Sequence, residues 1–74
     1  VTPRSFIASV SSVINAGAFP VFADVDRDSG NITAATIAPL VNARTRAIIP
    51  VHLAGWPTDM PAIMDLARAR NLYV

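Results

Sequence analysis

At 74 residues, the chain makes at most one small domain, and a chain of this size hides only about 60% of its extended surface. Hydrophobic residues make up 53%, six arginines against five aspartates leave a net charge of +1, and there is no cysteine, lysine or glutamate. This excludes a disulfide scaffold, and with the arginines scattered it excludes a basic nucleic-acid stripe and a polybasic membrane anchor. It predicts instead an interior piece of a larger protein, because complete soluble domains carry lysine and glutamate on their surfaces.

The first residues, Val1-Thr2-Pro3, have the character of a strand end. Ser5 is placed to cap a helix over residues 6–16, in which Phe6, Ile7, Val10, Val13 and Ile14 recur at helical spacing until Gly17 stops it. Its other face, with Ala8, Ser9, Ser11, Ser12 and Asn15, is small and uncharged. Such a helix is expected to be packed on both sides, partly by a second subunit. Residues 20–24 then form a short strand with Pro20 first, where a missing N–H does least harm.

Asp24, Asp26 and Asp28 alternate through a polar loop that closes at Gly30. A calcium-binding helix–loop–helix loop needs oxygens at this spacing, glycine at the sixth position and a bidentate glutamate at the twelfth. Here Gly30 comes one place late and the twelfth residue is Ala35, so a solvated loop is expected and no metal site is assigned. Thr33 caps a helix with Ala34, Ile37, Leu40 and Val41 on its apolar side, kinked or shortened by Pro39 and ending by Asn42.

The stretch Arg46-Ala-Ile-Ile-Pro-Val-His-Leu-Ala-Gly55 is apolar on both faces and is expected to be the central strand, buried on both sides and closed by Gly55 and Pro57. Thr58 or Asp59 then caps an amphipathic helix with Pro61 in its first turn, Met60, Ile63, Met64 and Ala67 inward, and Arg68 and Arg70 near its C-terminal end. Leu72-Tyr73-Val74 starts a further strand, and the expectation is a partial domain over residues 1–74, cut at both ends. Residues 5–23 are interrupted by polar residues, glycine and proline too often for a membrane span of about 20 residues. A location in the reducing cytoplasm suits the absence of cysteine.

Alternating runs of this kind predict an α/β fold, a parallel sheet with helical crossovers in the order βαβαβαβ. With strand order 2-1-3-4, the switch point would lie between the first and third strands, and residues 4–6 and 52–56 would flank one ligand crevice.

Four stretches also resemble a known family: Pro3-Arg-Ser-Phe-Ile-Ala-Ser9, Gly17-Ala-Phe-Pro-Val-Phe-Ala-Asp-Val-Asp26, Arg44-Thr-Arg-Ala-Ile-Ile-Pro-Val-His-Leu-Ala-Gly55 and Asp59-Met-Pro-Ala-Ile-Met64. Their order and spacing are similar to those of the DegT/StrS-type nucleotide-sugar aminotransferases. The resemblance implies part of a fold-type-I aminotransferase large domain that uses pyridoxal phosphate, in an enzyme that moves an amino group from glutamate to a nucleotide-linked keto-sugar, serves polysaccharide biosynthesis and works as a homodimer.

The resemblance assigns Phe6 to the position whose aromatic ring lies on the cofactor's pyridine face, and Ser9 to a small hydroxyl position near the cofactor. The plain alternatives are a core phenylalanine and a helix serine bonded to its own backbone. His52 matches a histidine at the end of the central strand and Trp56 departs from the smaller residues common there; both are candidate substrate contacts. A structural histidine, and a tryptophan covering a helix, are the alternatives. Asp24 and Asp26 match a recurrent Asp-x-Asp of structural character. The family's Schiff-base lysine, its ring-nitrogen aspartate and its phosphate-binding turn have no counterpart here, so no catalytic residue is assigned and the segment alone is expected to be inert. A sugar dehydratase of the same family, with histidine in place of the lysine, and a non-enzymatic flavodoxin-like binding module are the alternative functions.

Overall fold

The computed structural model describes all 74 residues. Helix α1 spans Ala8–Asn15, α2 spans Ala34–Ile37 and continues as a 3-10 turn over Ala38–Leu40, a second 3-10 turn spans Leu53–Gly55, and α3 spans Met60–Arg70. The expected parallel sheet does not form. The one paired strand position is an isolated parallel bridge between Ala47 and Tyr73, so the βαβαβαβ fold is corrected to short helices joined by extended segments.

The reason lies in the hydrogen bonds. Extended runs become a sheet only when successive residues exchange N–H and C=O groups with a neighbour. Here Tyr73 N–H donates to Arg46 O and Ile48 N–H to Tyr73 O, and the exchange stops there. At the other end Val1 donates to Val21 O, and Ala23 N–H donates to Val1 O. No hydrogen bond joins residues 1–3 to residues 46–51. An apolar groove of about 720 Å³ separates the two pairs, bordered by Val1, Val21 and Ala23 on one side and by Ala47, Ile48 and Ile49 on the other. The run expected to be buried on both faces is correspondingly half-covered: Ile48 is buried, whereas Arg46 and Ala47 are exposed.

The helices follow local chemistry more closely. Thr33 Oγ1 accepts from Thr36 N–H at 3.2 Å and Thr36 Oγ1 accepts from Thr33 N–H at 3.0 Å, a reciprocal cap that starts α2. Pro39 confines that helix to a single turn and a 3-10 extension. Asp59 Oδ1 accepts from Ala62 N–H at 3.1 Å, with Pro61 in the first turn of α3, and Asn71 in a left-handed conformation ends that helix. Helix α1 ends as expected, Gly17 (φ 78°) and Ala18 returning N–H groups to Ile14 and Val13.

Its start differs: no side chain caps α1, and Ser5 bonds instead to Ser9. The expected cover over α1 is also missing within this chain, since none of its residues is buried and Ile7 and Ile14 lie largely in solvent. The core is small. Ala23, Ile32, Ile37, Ile48, Ile63 and Ala67 pack together under α2 and α3. Ile32 and Ile63, the most completely enclosed, contribute about 1.5–3 kcal/mol each.

Candidate functional site

Three segments meet at Gly30: residues 2–6, the aspartate loop, and the turn after the third extended run. Gly30 is buried with φ 71°. A Cβ there would stand 2.6 Å from Arg4 Nη1 and 3.4 Å from Leu53 Cδ2, so only glycine lets both side chains close over this point. Arg4 is held from behind, its N–H donating at 3.1 Å to Oγ1 of Thr2, which is 2% exposed.

The aspartate loop is rigid for its own reasons. The Asp26 carboxylate accepts from Ser29 N–H at 2.9 Å and Asp28 N–H at 3.2 Å, while Asp26 N–H donates to Asn31 O at 2.8 Å and Asp26 O accepts from Gly30 N–H at 2.8 Å. The Asp26 carboxyl is held below the usual carboxylate value by the Ser29 N–H foremost and then the Ser29 hydroxyl, which outweigh the opposing effect of desolvation, with the Asp28 N–H adding least. Asp24 Oδ1 likewise accepts from Val25 N–H at 2.8 Å. Two of the three alternating carboxylates, Asp24 and Asp26, are thus engaged by the loop itself.

Asn31 ties this loop to the next. Its side chain is buried, at 3% exposure, and clamps the turn at both ends: Oδ1 accepts from Leu53 N–H at 3.1 Å, and Nδ2 donates to Trp56 O at 2.9 Å. Between those two bonds the backbone passes through two left-handed residues, Ala54 (φ 52°) and Gly55 (φ 80°). An alanine there is strained by about 1–2 kcal/mol, so the clamp has a distortion to hold.

His52 sits at the entrance of this turn, exposed, with its ring fixed. Thr58 N–H donates to His52 Nδ1 at 3.0 Å, and the buried Thr58 hydroxyl lies 3.3 Å from the same nitrogen. Because a backbone N–H can only donate, Nδ1 is an acceptor, and the neutral ring carries its proton on Nε2. The imidazole therefore presents an N–H donor outward.

The four residues singled out from the sequence fall into two groups. Phe6 is 78% exposed, and at the start of α1 Ser9 Oγ lies 3.0 Å from Ser5 Oγ. The Phe6 side chain is therefore not a core residue of this chain. His52 and Trp56 share the clamped turn, and the Trp56 ring, 65% exposed, borders a shallow concavity of about 470 Å³ with Asp26, Asp28 and Ser29. Arg4 links the groups, running from the segment before Phe6 to the flank of Leu53. Neither concavity is lined by Phe6, Ser9 or His52. Asn31 has no role in the sequence reading, where a glycine–asparagine pair closing an aspartate loop was the visible hint; Arg4 figures there only within the crevice-flanking residues 4–6, and Thr58 only as an alternative helix cap.

Known proteins share this arrangement. The profile of the DegT/DnrJ/EryC1/StrS aminotransferase family matches residues 1–74. A solved aminotransferase from Psychrobacter cryohalolentis superposes on the whole chain with TM-score 0.98 and 61% identity, over 19% of its own length. DesV of S. venezuelae, solved in complex with a ketimine intermediate, gives 0.94 at 36% identity over 97% of this chain and 19% of its own. The UDP-N-acetyl-3-dehydro-alpha-D-glucosamine 3-aminotransferase of Acidithiobacillus ferrooxidans is 50% identical over 95% of the chain, and a GDP-perosamine synthase of Caulobacter vibrioides 46% over the same share. The chain spans 19% of the length of each of these two relatives.

Proposed function

We propose, from the premise that the chain belongs to the DegT/DnrJ/EryC1/StrS aminotransferase family, that it is the cofactor-supporting part of a pyridoxal phosphate-dependent enzyme transferring an amino group from glutamate to a nucleotide-linked keto-sugar. The observation that carries this reading is the superposition of all 74 residues on an aminotransferase at 61% identity. Two of the relatives are named for nucleotide-linked sugars, one a UDP sugar and one a GDP sugar, which supports that substrate class.

The residues present fit the cofactor as a platform. Phe6 offers a flat apolar face free of other packing, beside a pair of serine hydroxyls. When bound, pyridoxal phosphate supplies the electron sink that makes amino transfer possible. Phe6 would support the ring's face, Ser9 would donate or accept a hydrogen bond at its edge, and His52, with its proton on Nε2, would donate to an oxygen of cofactor or substrate. Trp56 would flank the route of the sugar nucleotide. No lysine occurs in these residues, so the amine that holds the cofactor must come from elsewhere in the protein. The uncovered apolar side chains of Ile7, at the N-cap of α1, and Ile14, within it, support pairing with a second subunit.

The test uses the full-length protein. Purified with pyridoxal phosphate, it should take up the cofactor with a change in its absorbance, and glutamate should then alter that spectrum and release 2-oxoglutarate. A protein that takes up no cofactor, or whose spectrum ignores glutamate, refutes the reading. No helix is long and apolar enough to cross a membrane, and fractionation of cells should place the protein in the cytoplasm.

A further inference from the structure

We propose that Arg4 recognises an oxyanion, a carboxylate or a phosphate, of a substrate of this site; the assignment rests on the aminotransferase function proposed above. Three observations carry it. The first is the seat. Arg4 Nη1 and Cζ lie 2.6 Å and 3.5 Å from where a Gly30 Cβ would stand, so the guanidinium lies against a buried glycine whose side chain would displace it. Its backbone is fixed in turn by the buried Thr2 hydroxyl.

The second is its electrostatic state. The one ion pair in the structure is Arg68 with Asp65, at 3.2 Å, and Arg46 gives its Nη1 to the carbonyls of Ala43 and Thr45. The Arg4 guanidinium has no such partner. No carboxylate of these residues pairs with it: Asp26 and Asp24 accept instead from loop N–H groups, of Ser29 and Asp28 and of Val25. A permanently charged planar group whose five donors are uncommitted within these residues, seated against Gly30, suits bidentate binding of a carboxylate or phosphate.

The third is position. The side chain starts two residues before Phe6, and its guanidinium and the Leu53 side chain, next in sequence to His52, both lie against Gly30, where the two halves of the candidate site converge. Both substrates of the proposed reaction carry oxyanions, the carboxylates of the amino donor and the phosphates of the sugar nucleotide.

The full-length protein loaded with pyridoxal phosphate tests this, with Arg4→Gln, Arg4→Lys and Gly30→Ala beside wild type. One arm measures the glutamate concentration giving half the maximal spectral change. The other measures by calorimetry the Kd of whichever of UDP, GDP or dTDP wild type binds best. Arg4→Gln should weaken one of the two by at least about tenfold, the loss expected for a charge-assisted hydrogen bond, with thermal stability unchanged. Lysine should restore part of it, since it keeps the charge and loses the fork. Gly30→Ala, which keeps the arginine and spoils its seat, should weaken the same ligand. Loss in the glutamate arm assigns the carboxylate; loss in the nucleotide arm assigns the phosphate. Both arms unchanged in an Arg4→Gln protein that still binds cofactor overturns the assignment of Arg4 alone. A wild-type protein that takes up no cofactor overturns the proposed function and this assignment with it.

Discussion

Replacing Asn31 by alanine should loosen the His52–Trp56 turn more than it loosens the fold. The buried side chain makes two part-buried hydrogen bonds, 3.1 Å from Leu53 N–H and 2.9 Å to Trp56 O. Truncation orphans both backbone groups, at about 1–3 kcal/mol each when they stay buried, so a total of about 2–6 kcal/mol bounds the loss. About 1.5 kcal/mol of that falls on the Leu53 amide, which translates into roughly tenfold faster hydrogen exchange at that position. Native-state exchange on the full-length protein, resolved to peptides covering residues 50–57, measures it. Asn31→Asp separates the two bonds: it keeps the acceptor for Leu53 and sets a carboxylate against the Trp56 carbonyl. Leu53 should then stay protected while Trp56 becomes freer. Unchanged exchange at Leu53 in Asn31→Ala, accompanied by a general fall in Tm, would falsify the clamp and leave Asn31 an ordinary buried polar residue.

Phe6→Ala in the full-length protein should raise the apparent Kd for pyridoxal phosphate several-fold, from about 0.5–1.5 kcal/mol of lost stacking, with little change in apo stability because the ring is largely exposed in this chain. A loss of about 3–5 kcal/mol in the apo form with cofactor affinity intact would make it a packing residue instead. Asp26 has a carboxyl held below its ordinary value of 3.8 by loop N–H donors, so its contribution to stability is present above that pH and is lost as pH falls through the lower folded value. Thermal unfolding of wild type and Asp26→Asn should therefore differ at neutral pH and converge below about pH 3.8; a gap constant with pH would show the carboxylate charge to be irrelevant.

The helix signals in this sequence act within one turn of chain, and they survive in the structure. Thr33 finds Thr36, Asp59 finds Ala62, Gly17 closes α1, and Pro39 cuts α2 short. Each is decided by residues three or four positions apart, so the local sequence is sufficient. Ser5 shows the limit: its hydroxyl was placed to cap α1 and found the Ser9 hydroxyl instead. The same locality explains why family membership was legible, since the matching stretches run in order through the chain.

What needed tertiary structure is whatever depends on a partner far along the chain. A run such as residues 46–51 has strand composition, but a sheet exists only if neighbouring backbones present their donors and acceptors in register, and here that happens at Ala47 and Tyr73 alone. The candidate site obeys the same rule. Asn31 reaches Leu53 and Trp56, 22 and 25 residues on, and Arg4 settles over Gly30. The sequence by itself determined where the helices stop and which family the residues match. Only the folded chain decided which nitrogen of His52 carries the proton, which arginine rests against Gly30, and that the extended runs pair at a single bridge, because each is set by contacts in space rather than by immediate neighbours in sequence.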